Sequence, residues 1–279
     1  MDRIPKELHL YWDGSPMSHL QALTTASFHD LNPSWRISVY TPKQVYNGNA
    51  KYIPPYNGEN FFHLVKDASY VNMCEIDLND YNINNDLHNI LRSDIFRYHI
   101  LYSVGGVWSD FDVLWLKPME HFNNIDYYGD TPIEDVNTVV SFIYGTRGGH
   151  SIGILIHCKE DPYMLRMKTL CEKVKPPYTH EVFGADLINK VYPNLDSYNK
   201  FGNVIGAKFE TYYPYNIHPP KATISKLYKG NDLSPLENNN VMCLHWYNGH
   251  VLSKKYVNNK GYQTNCSMTT LLKQKGYIK

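Results

Sequence analysis

The chain has 279 residues, 43% hydrophobic and 19% charged, enough to bury a core in one large domain or two small ones. Lys+Arg and Asp+Glu both number 27, so the formal net charge is zero, which argues against nucleic acid or an anionic membrane surface as the main partner. Five cysteines without a C-x-x-C pair argue against a cysteine zinc centre, and their odd number fits reduced thiols better than a disulfide framework. MDRIPKELHLYW has no apolar core of leader length, and no apolar run reaches about 18 residues, so the expectation is a soluble, cytoplasmic chain.

Alternation predicts a first strand over 7–12, with Leu8, Leu10 and Trp12 on one face and His9 and Tyr11 on the other. A turn at 13–16 and a helix over 18–29 follow, and Asn32-Pro33 ends that helix. Residues 35–40 read as a second strand, after which Thr41-Pro42 is expected to open another helix, a capping residue followed by proline. Strand alternating with helix predicts a wound α/β fold with a mostly parallel sheet. Residues 47–60 read as a loop, 61–70 as a helix, and the Asn/Asp-rich stretch 77–86 as a surface loop. Further on, strands are expected at 138–144, 204–209 and 241–246. Helices are expected at 162–173, 180–191 and 268–275, a glycine turn at 145–150, and helix or strand at 151–157. No linker divides the chain, so a single domain is expected, with 1–118 as one half and 119–279 as the other.

The segment 92–112, RSDIFRYHILYSVGGVWSDFD, carries the chemistry. Leu87, Leu91, Asp94, Tyr98 and Leu101 recur at helical spacing, so Asp94 sits in an apolar stripe and needs a partner. Arg97 is either that partner, in a structural ion pair, or a group that reaches a diphosphate while Asp94 accepts from sugar hydroxyls. Gly105-Gly106 ends the helix. The apolar run 107–116 reads as one buried strand with Trp108, Asp110, Asp112, Leu114 and Leu116 on a single face. Two carboxylates on one buried face repel unless a cation joins them, and a hard divalent ion that also takes phosphate oxygens would do so.

The spacing Arg92, Ser93-Asp94, Arg97, Gly105-Gly106, Trp108, Asp110 and Asp112 resembles, without a gap, the signature of glycosyltransferases with a DXD motif, the family of α-1,4-galactosyltransferases and yeast mannosyltransferases and, more distantly, clostridial glucosylating toxins. Ile4-Pro5-Lys6 with 8–12 is similar to that family's first strand. Residues 183–186 stand where the family often has T-G-P, with Ala185 in place of proline, and 241–249 resembles its histidine-ending strand. The family's later Ser-Trp is replaced by His250-Val251. The resemblance implies a GT-A fold and a metal-dependent transfer of sugar from a nucleotide sugar, UDP-linked, to a glycan, glycoprotein or glycolipid hydroxyl with retention. GDP-mannose as donor, or a glycan- or nucleotide-binding protein without turnover, are the alternatives. A nucleotidyltransferase or phosphohydrolase would also use paired carboxylates, attacking phosphorus instead of sugar carbon. The implied roles are Asp110, Asp112 and His245 for Mn²⁺ or Mg²⁺, and Leu10, Trp12, Trp108, Asp110 and Arg97 for the nucleotide sugar. Asp94 and Arg97 are expected at the reacting sugar, with Asp186 as the candidate nucleophile.

Overall fold

The computed structural model describes residues 3–44, 46, 56–143, 149–179, 181–193, 196–197, 201–217, 222–258 and 261–279. In chain order its regular elements are β1 (Glu7–Tyr11), α1 (His19–Leu31), β2 (Arg36–Pro42), α2 (Phe62–Lys66), β3 (Val71–Ile76), α3 (Asn89–Val104), β4 (Gly106–Ser109) and β5 (Val113–Trp115). Then come β6 (Tyr127–Tyr128), β7 (Thr138–Ile143), β8 (Gly149–His157), α4 (Pro162–Cys171), α5 (Ala185–Val191), β9 (Val204–Ala207), α6 (Ile224–Lys229), β10 (Cys243–His245), α7 (Val251–Asn258) and α8 (Ser267–Gln274). Eight strands form one sheet in the order β3-β2-β1-β4-β8-β7-β9-β6, and β5 pairs with β10 in a second, two-stranded sheet. The expected α/β fold holds, and four of the seven pairings in the large sheet are parallel: β3-β2, β2-β1, β1-β4 and β7-β9.

Helix α1 starts on a capping box. Ser18 accepts from the Gln21 N–H while the Gln21 side chain accepts from the Ser18 N–H, so two otherwise orphaned donors are satisfied. Its N-terminal half and Phe28 are buried, the helix packing on β5 with Phe28 edge-on to Trp115, and the Thr24 hydroxyl donates to the Phe111 carbonyl at 2.9 Å, tying α1 to the segment between β4 and β5. Helix α3 is buried over Leu91–Leu101 except for Ser93 (more than one stripe), because the sheet covers one side and α4 packs on another.

Several expectations differ. Thr41-Pro42 opens no helix; both residues extend β2, in register with Glu75 and Ile76 of β3. Residues 36 and 40 bond toward β1, through Arg36 N to Lys6 O and Tyr40 O to Trp12 N, so the N–H that Pro42 lacks would point where β1 has already ended. Strand β3 falls where the helix over 61–70 gives out; that helix is only one turn long. The 77–86 stretch is tethered: Asp77 caps a 3₁₀ turn over Leu78–Tyr81, Gln44 bonds Asp77 and Leu78, and Arg92 donates to the carbonyls of Gln44 and Asn85. Helix α5 begins at Ala185, five residues later than expected, and α6 and α7 were not anticipated. The loop expected at 47–60 lies largely, and the turn at 145–150 mostly, outside the described residues.

Among the described residues no helix is long and apolar enough to cross a membrane. All five cysteines are free thiols.

The glycine pair after α3 is fixed by close approach. Gly105 and Gly106 both have positive φ, 75° and 103°, and a Cβ on Gly106 would stand 2.4 Å from the Glu7 carbonyl oxygen. His9, fully buried, bonds the Gly105 carbonyl through Nε2 at 2.8 Å and the Tyr40 hydroxyl through Nδ1 at 3.0 Å. A carbonyl only accepts, so Nε2 carries the proton; burial lowers the imidazole pKa, and the neutral ring takes its second bond from the Tyr40 O–H. β1, β2 and the entry to β4 are thereby locked together. Gly106→Ala is expected to destabilise the fold by about 3 kcal/mol or more. Gly14→Ala, also at positive φ (89°) but with no atom within 4 Å of the added Cβ, is expected to cost about 1 kcal/mol. Urea unfolding of both variants checks this; equal losses would contradict the close-approach account.

Candidate active site

The apolar run 107–116 is not one strand. It breaks between β4 and β5 at Asp110-Phe111-Asp112, where the chain leaves the large sheet for the small one. Unpaired carboxylates cannot be left inside a continuous buried ladder. The break supplies other partners. The Asp110 N–H donates to the Gly153 carbonyl of β8 at 2.8 Å, and the Asp112 carbonyl accepts from the Trp246 N–H at 2.9 Å. Antiparallel pairing of β10 with β5 sets His245 opposite Val113, beside Asp112.

Each carboxylate then has one oxygen held by the protein and one turned to the site. Asp110 Oδ1 accepts from Trp108 Nε1 at 2.9 Å and lies 3.4 Å from an Arg97 nitrogen. Asp112 Oδ2 accepts from the Asn248 N–H at 2.8 Å, and its Oδ1 lies 3.1 Å from His245 Nε2. One ligand atom from each of Asp110, Asp112 and His245 falls within 4.8 Å of the other two. Their side chains keep 33%, 15% and 12% exposure, so the group opens toward solvent. Gly153 keeps the space clear: a Cβ there would sit 3.1 Å from the Tyr213 hydroxyl, 3.2 Å from His245 Nε2 and 3.3 Å from Asp110 Oδ2. Two carboxylates and one imidazole are an N/O donor set that suits Mn²⁺ or Mg²⁺ better than a soft metal, with positions left for outside oxygens.

Behind this group lies a second charged layer. Arg97 is 3% exposed, and its guanidinium donates to Asp94 Oδ1 at 2.6 Å and to the Ile152 carbonyl at 2.5 Å, with its carbon 4.8 Å from the centre of the Trp108 ring. Burial raises the Asp94 carboxyl to about 7, against the pull of Arg97. Burial also raises Asp110, again opposed by Arg97 and reinforced by Asp112. For Asp112 burial is outweighed by the His245 charge and by hydrogen bonds from His245 and Asn248, so its pKa falls. For His245 burial is outweighed by Asp112, so its pKa rises.

Other residues singled out in the sequence lie as follows. Trp108 is buried, its ring against Arg97 and its N–H on Asp110, so it positions those two groups. Trp12 is nine-tenths buried, edge-on to Phe111 with Nε1 donating to the Ser15 carbonyl at 2.9 Å. Leu10 is fully buried in the core. Asp186 is exposed in the first turn of α5, 3.3 Å from the Thr179 hydroxyl. Gly153, Tyr213 and Asn248 were not anticipated. The Asn-Gly pair at 248–249 is a turn signal next to His245, whereas Tyr213 reaches the site only through tertiary packing, with its ring centre 4.8 Å from that of His245.

Residues 18–130 match the family described as glycosyltransferase sugar-binding region containing DXD motif. The initiation-specific alpha-1,6-mannosyltransferase of Saccharomyces cerevisiae is 26% identical over 198 aligned positions, covering 61% of this chain and 40% of that protein, so the chain spans less than half the length of this relative. Among solved structures, a PaToxG glycosyltransferase is similar with a TM-score of 0.47 at 16% identity, covering 96% of this chain and 87% of that one. The galactosyltransferase LgtC in complex with donor and acceptor sugar analogues is similar with a TM-score of 0.44 at 12% identity, covering 86% of this chain and 87% of that one.

The Asp94 shift has a sign that can be tested. Its folded pKa lies above the ordinary 3.8, so its contribution to stability is fully present below that value and is lost as pH rises through about 7. Asp94→Asn removes this titration. The stability of the variant relative to wild type is expected to increase by about 3 kcal/mol from pH 5 to pH 8 in metal-free urea unfolding. A difference that does not change with pH would show that Asp94 stays ionised throughout.

Proposed function

We propose, from the premise that residues 18–130 belong to the DXD-containing glycosyltransferase sugar-binding region, that this chain is a metal-dependent glycosyltransferase of GT-A type, acting on a nucleotide sugar and transferring its sugar to a hydroxyl of a glycan, glycoprotein or glycolipid. The observation that carries the reading is the convergence of Asp110, Asp112 and His245, with Asp112 Oδ1 3.1 Å from His245 Nε2 and one ligand atom of each within 4.8 Å of the others. We assign the divalent ion, Mn²⁺ or Mg²⁺, to these three residues; when bound, it supplies Lewis-acid stabilisation of a departing diphosphate.

The protein's own groups have separate tasks in this reading. Arg97 holds Asp94 and Asp110 in place from beneath, since its guanidinium is already engaged by both acids and by Ile152. Asp94 accepts from hydroxyls of the sugar. Asn248 fixes the rotamer of Asp112 through its N–H. Trp12, just past β1, stands on the nucleotide side with Leu10 in the core cluster behind it, and 1–118 forms the nucleotide half, with 119–279 contributing the acceptor side and His245. Retention by front-face departure suits a site in which Asp94 and Asp110 are both held by Arg97.

A UDP-sugar is the first donor to test. GDP-mannose is the second, favoured by the similarity to a mannosyltransferase. Titration calorimetry with UDP and GDP, with and without Mn²⁺, is expected to give manganese-dependent binding of one nucleotide by the wild type. Asp112→Asn should lose that dependence. Gly153→Ala, whose methyl would crowd Asp110, His245 and Tyr213, should weaken it by about tenfold or more with little change in thermal stability. Metal-independent binding of equal strength in all three proteins would contradict the assignment.

A further inference from the structure

The two acids of the candidate metal group are oriented by hydrogen bonds, Asp110 from Trp108 and Asp112 from the Asn248 N–H. His245 is oriented mainly by rings. Its Nδ1 accepts from the Tyr247 N–H at 3.3 Å, two residues along its own chain. Its imidazole centre lies 4.8 Å from the ring centre of Tyr213, tilted by 42°, and 4.7 Å from that of Tyr247, edge-on at 65°. Tyr213 is 4% exposed and is backed in turn by Phe209, stacked on it at 4.9 Å. Close-packed rings at these separations restrict one another's planes, and the plane of an imidazole decides where its nitrogen lone pair points.

Tyr213 bridges two strands that meet at the site. Its segment follows the 3₁₀ turn over Phe209–Thr211 and runs beside β10. There the Thr211 carbonyl accepts from the Met242 N–H at 2.9 Å and the Tyr212 carbonyl from the His245 N–H at 2.8 Å. The Tyr213 hydroxyl crosses to β8 and bonds the Ser151 hydroxyl. It borders the same space over Gly153 as His245 Nε2 and Asp110 Oδ2. Three successive β8 residues thus each hold one part of the site: the Ser151 hydroxyl holds Tyr213, the Ile152 carbonyl holds Arg97, and the Gly153 carbonyl holds the Asp110 N–H.

We propose that Tyr213 is a positioning residue for the metal ligand His245: its ring sets the plane of the imidazole, and its hydroxyl, bonded to Ser151, ties that plane to the strand that also fixes Arg97 and Asp110. The inference rests on the metal-dependent reading above and extends it to the shell behind the ligands, where partners that orient a ligating histidine are worth about 10–100-fold in metal affinity. The buried hydroxyl pair of Tyr213 and Ser151 has a reason in this account. It keeps the nitrogen ligand, carried by the small sheet, in step with the carboxylate of Asp110, which is anchored on the large one.

The test compares wild type, Tyr213→Leu, Tyr213→Phe and Ser151→Ala, with thermal stability checked for each. Mn²⁺ alone is titrated and followed by electron paramagnetic resonance of the free ion, and the spin-echo modulation of bound Mn²⁺ by the imidazole nitrogen is recorded. Tyr213→Leu is expected to lose at least about tenfold in Mn²⁺ affinity and to weaken the nitrogen modulation. Tyr213→Phe and Ser151→Ala, which remove only the hydroxyl pair, should each lose about fivefold, and the two together no more than either alone. Wild-type affinity and modulation in Tyr213→Leu, or in Tyr213→Phe and Ser151→Ala should Tyr213→Leu not fold, would overturn the inference while the transferase reading stands. A loss of affinity with full nitrogen modulation would overturn it too, since Tyr213 would then act on something other than His245. If the wild type binds no Mn²⁺, or binds it without nitrogen modulation, the assignment of the metal to these three residues falls and this inference falls with it.

Discussion

Everything at this site depends on one buried guanidinium. Arg97 is enclosed by Asp94 from its own helix, Asp110 from the break between β4 and β5, the Ile152 carbonyl from β8 and the face of Trp108. An arginine taken out of water in this way is tolerable only with charged and hydrogen-bonding partners on each side, and removing one partner of such a pair costs about 3–5 kcal/mol. The constraint runs in both directions. Arg97 makes it possible to bury Asp94 and half-bury Asp110, and those acids fix how α3, β4 and β8 approach one another.

A second consequence is the division of labour between carboxylate oxygens. Asp110 gives one oxygen to Trp108 and Arg97, and Asp112 gives one to the Asn248 N–H. The remaining oxygens face His245, across space that Gly153 leaves open. The donor set is therefore oriented before any ligand arrives, so binding need not recover the rotamer entropy of two acids. The change of sheet between β4 and β5 is part of the same arrangement. A continuous strand would have placed both acids along one ladder, with no antiparallel partner to bring the histidine alongside.

Much of this was legible in the sequence. The helix with Asp94 in its apolar stripe, the Gly105-Gly106 stop and the alternation over 7–12 are local patterns, and local patterns survive folding. The break at Asp110–Asp112 was not legible, because Val107-Trp108 and Val113-Leu114-Trp115 are apolar on both sides and period-two reading joins them across it. Pro42 misled for a related reason: proline after threonine is a helix-start signal, and only the early end of β1 makes it acceptable in β2. Strand β3, VNMCEI, has weak alternation and partial burial, so nothing local marked it. Tyr213 has no sequence signal, since it reaches the site through packing between distant elements. Trp12 and Trp108 carried strong aromatic signals, yet the structure buries both rings and turns Trp108 toward Arg97 and Asp110.

The central claim is that the acids and His245 serve attack at a sugar carbon, with a nucleoside diphosphate as leaving group. The most direct measurement is phosphorus NMR of the products formed from a bound nucleotide sugar in the presence of Mn²⁺. The account predicts that the nucleoside diphosphate appears intact, with the sugar on an acceptor or free in solution. Nucleoside monophosphate together with sugar phosphate would mean attack at phosphorus, and would contradict it.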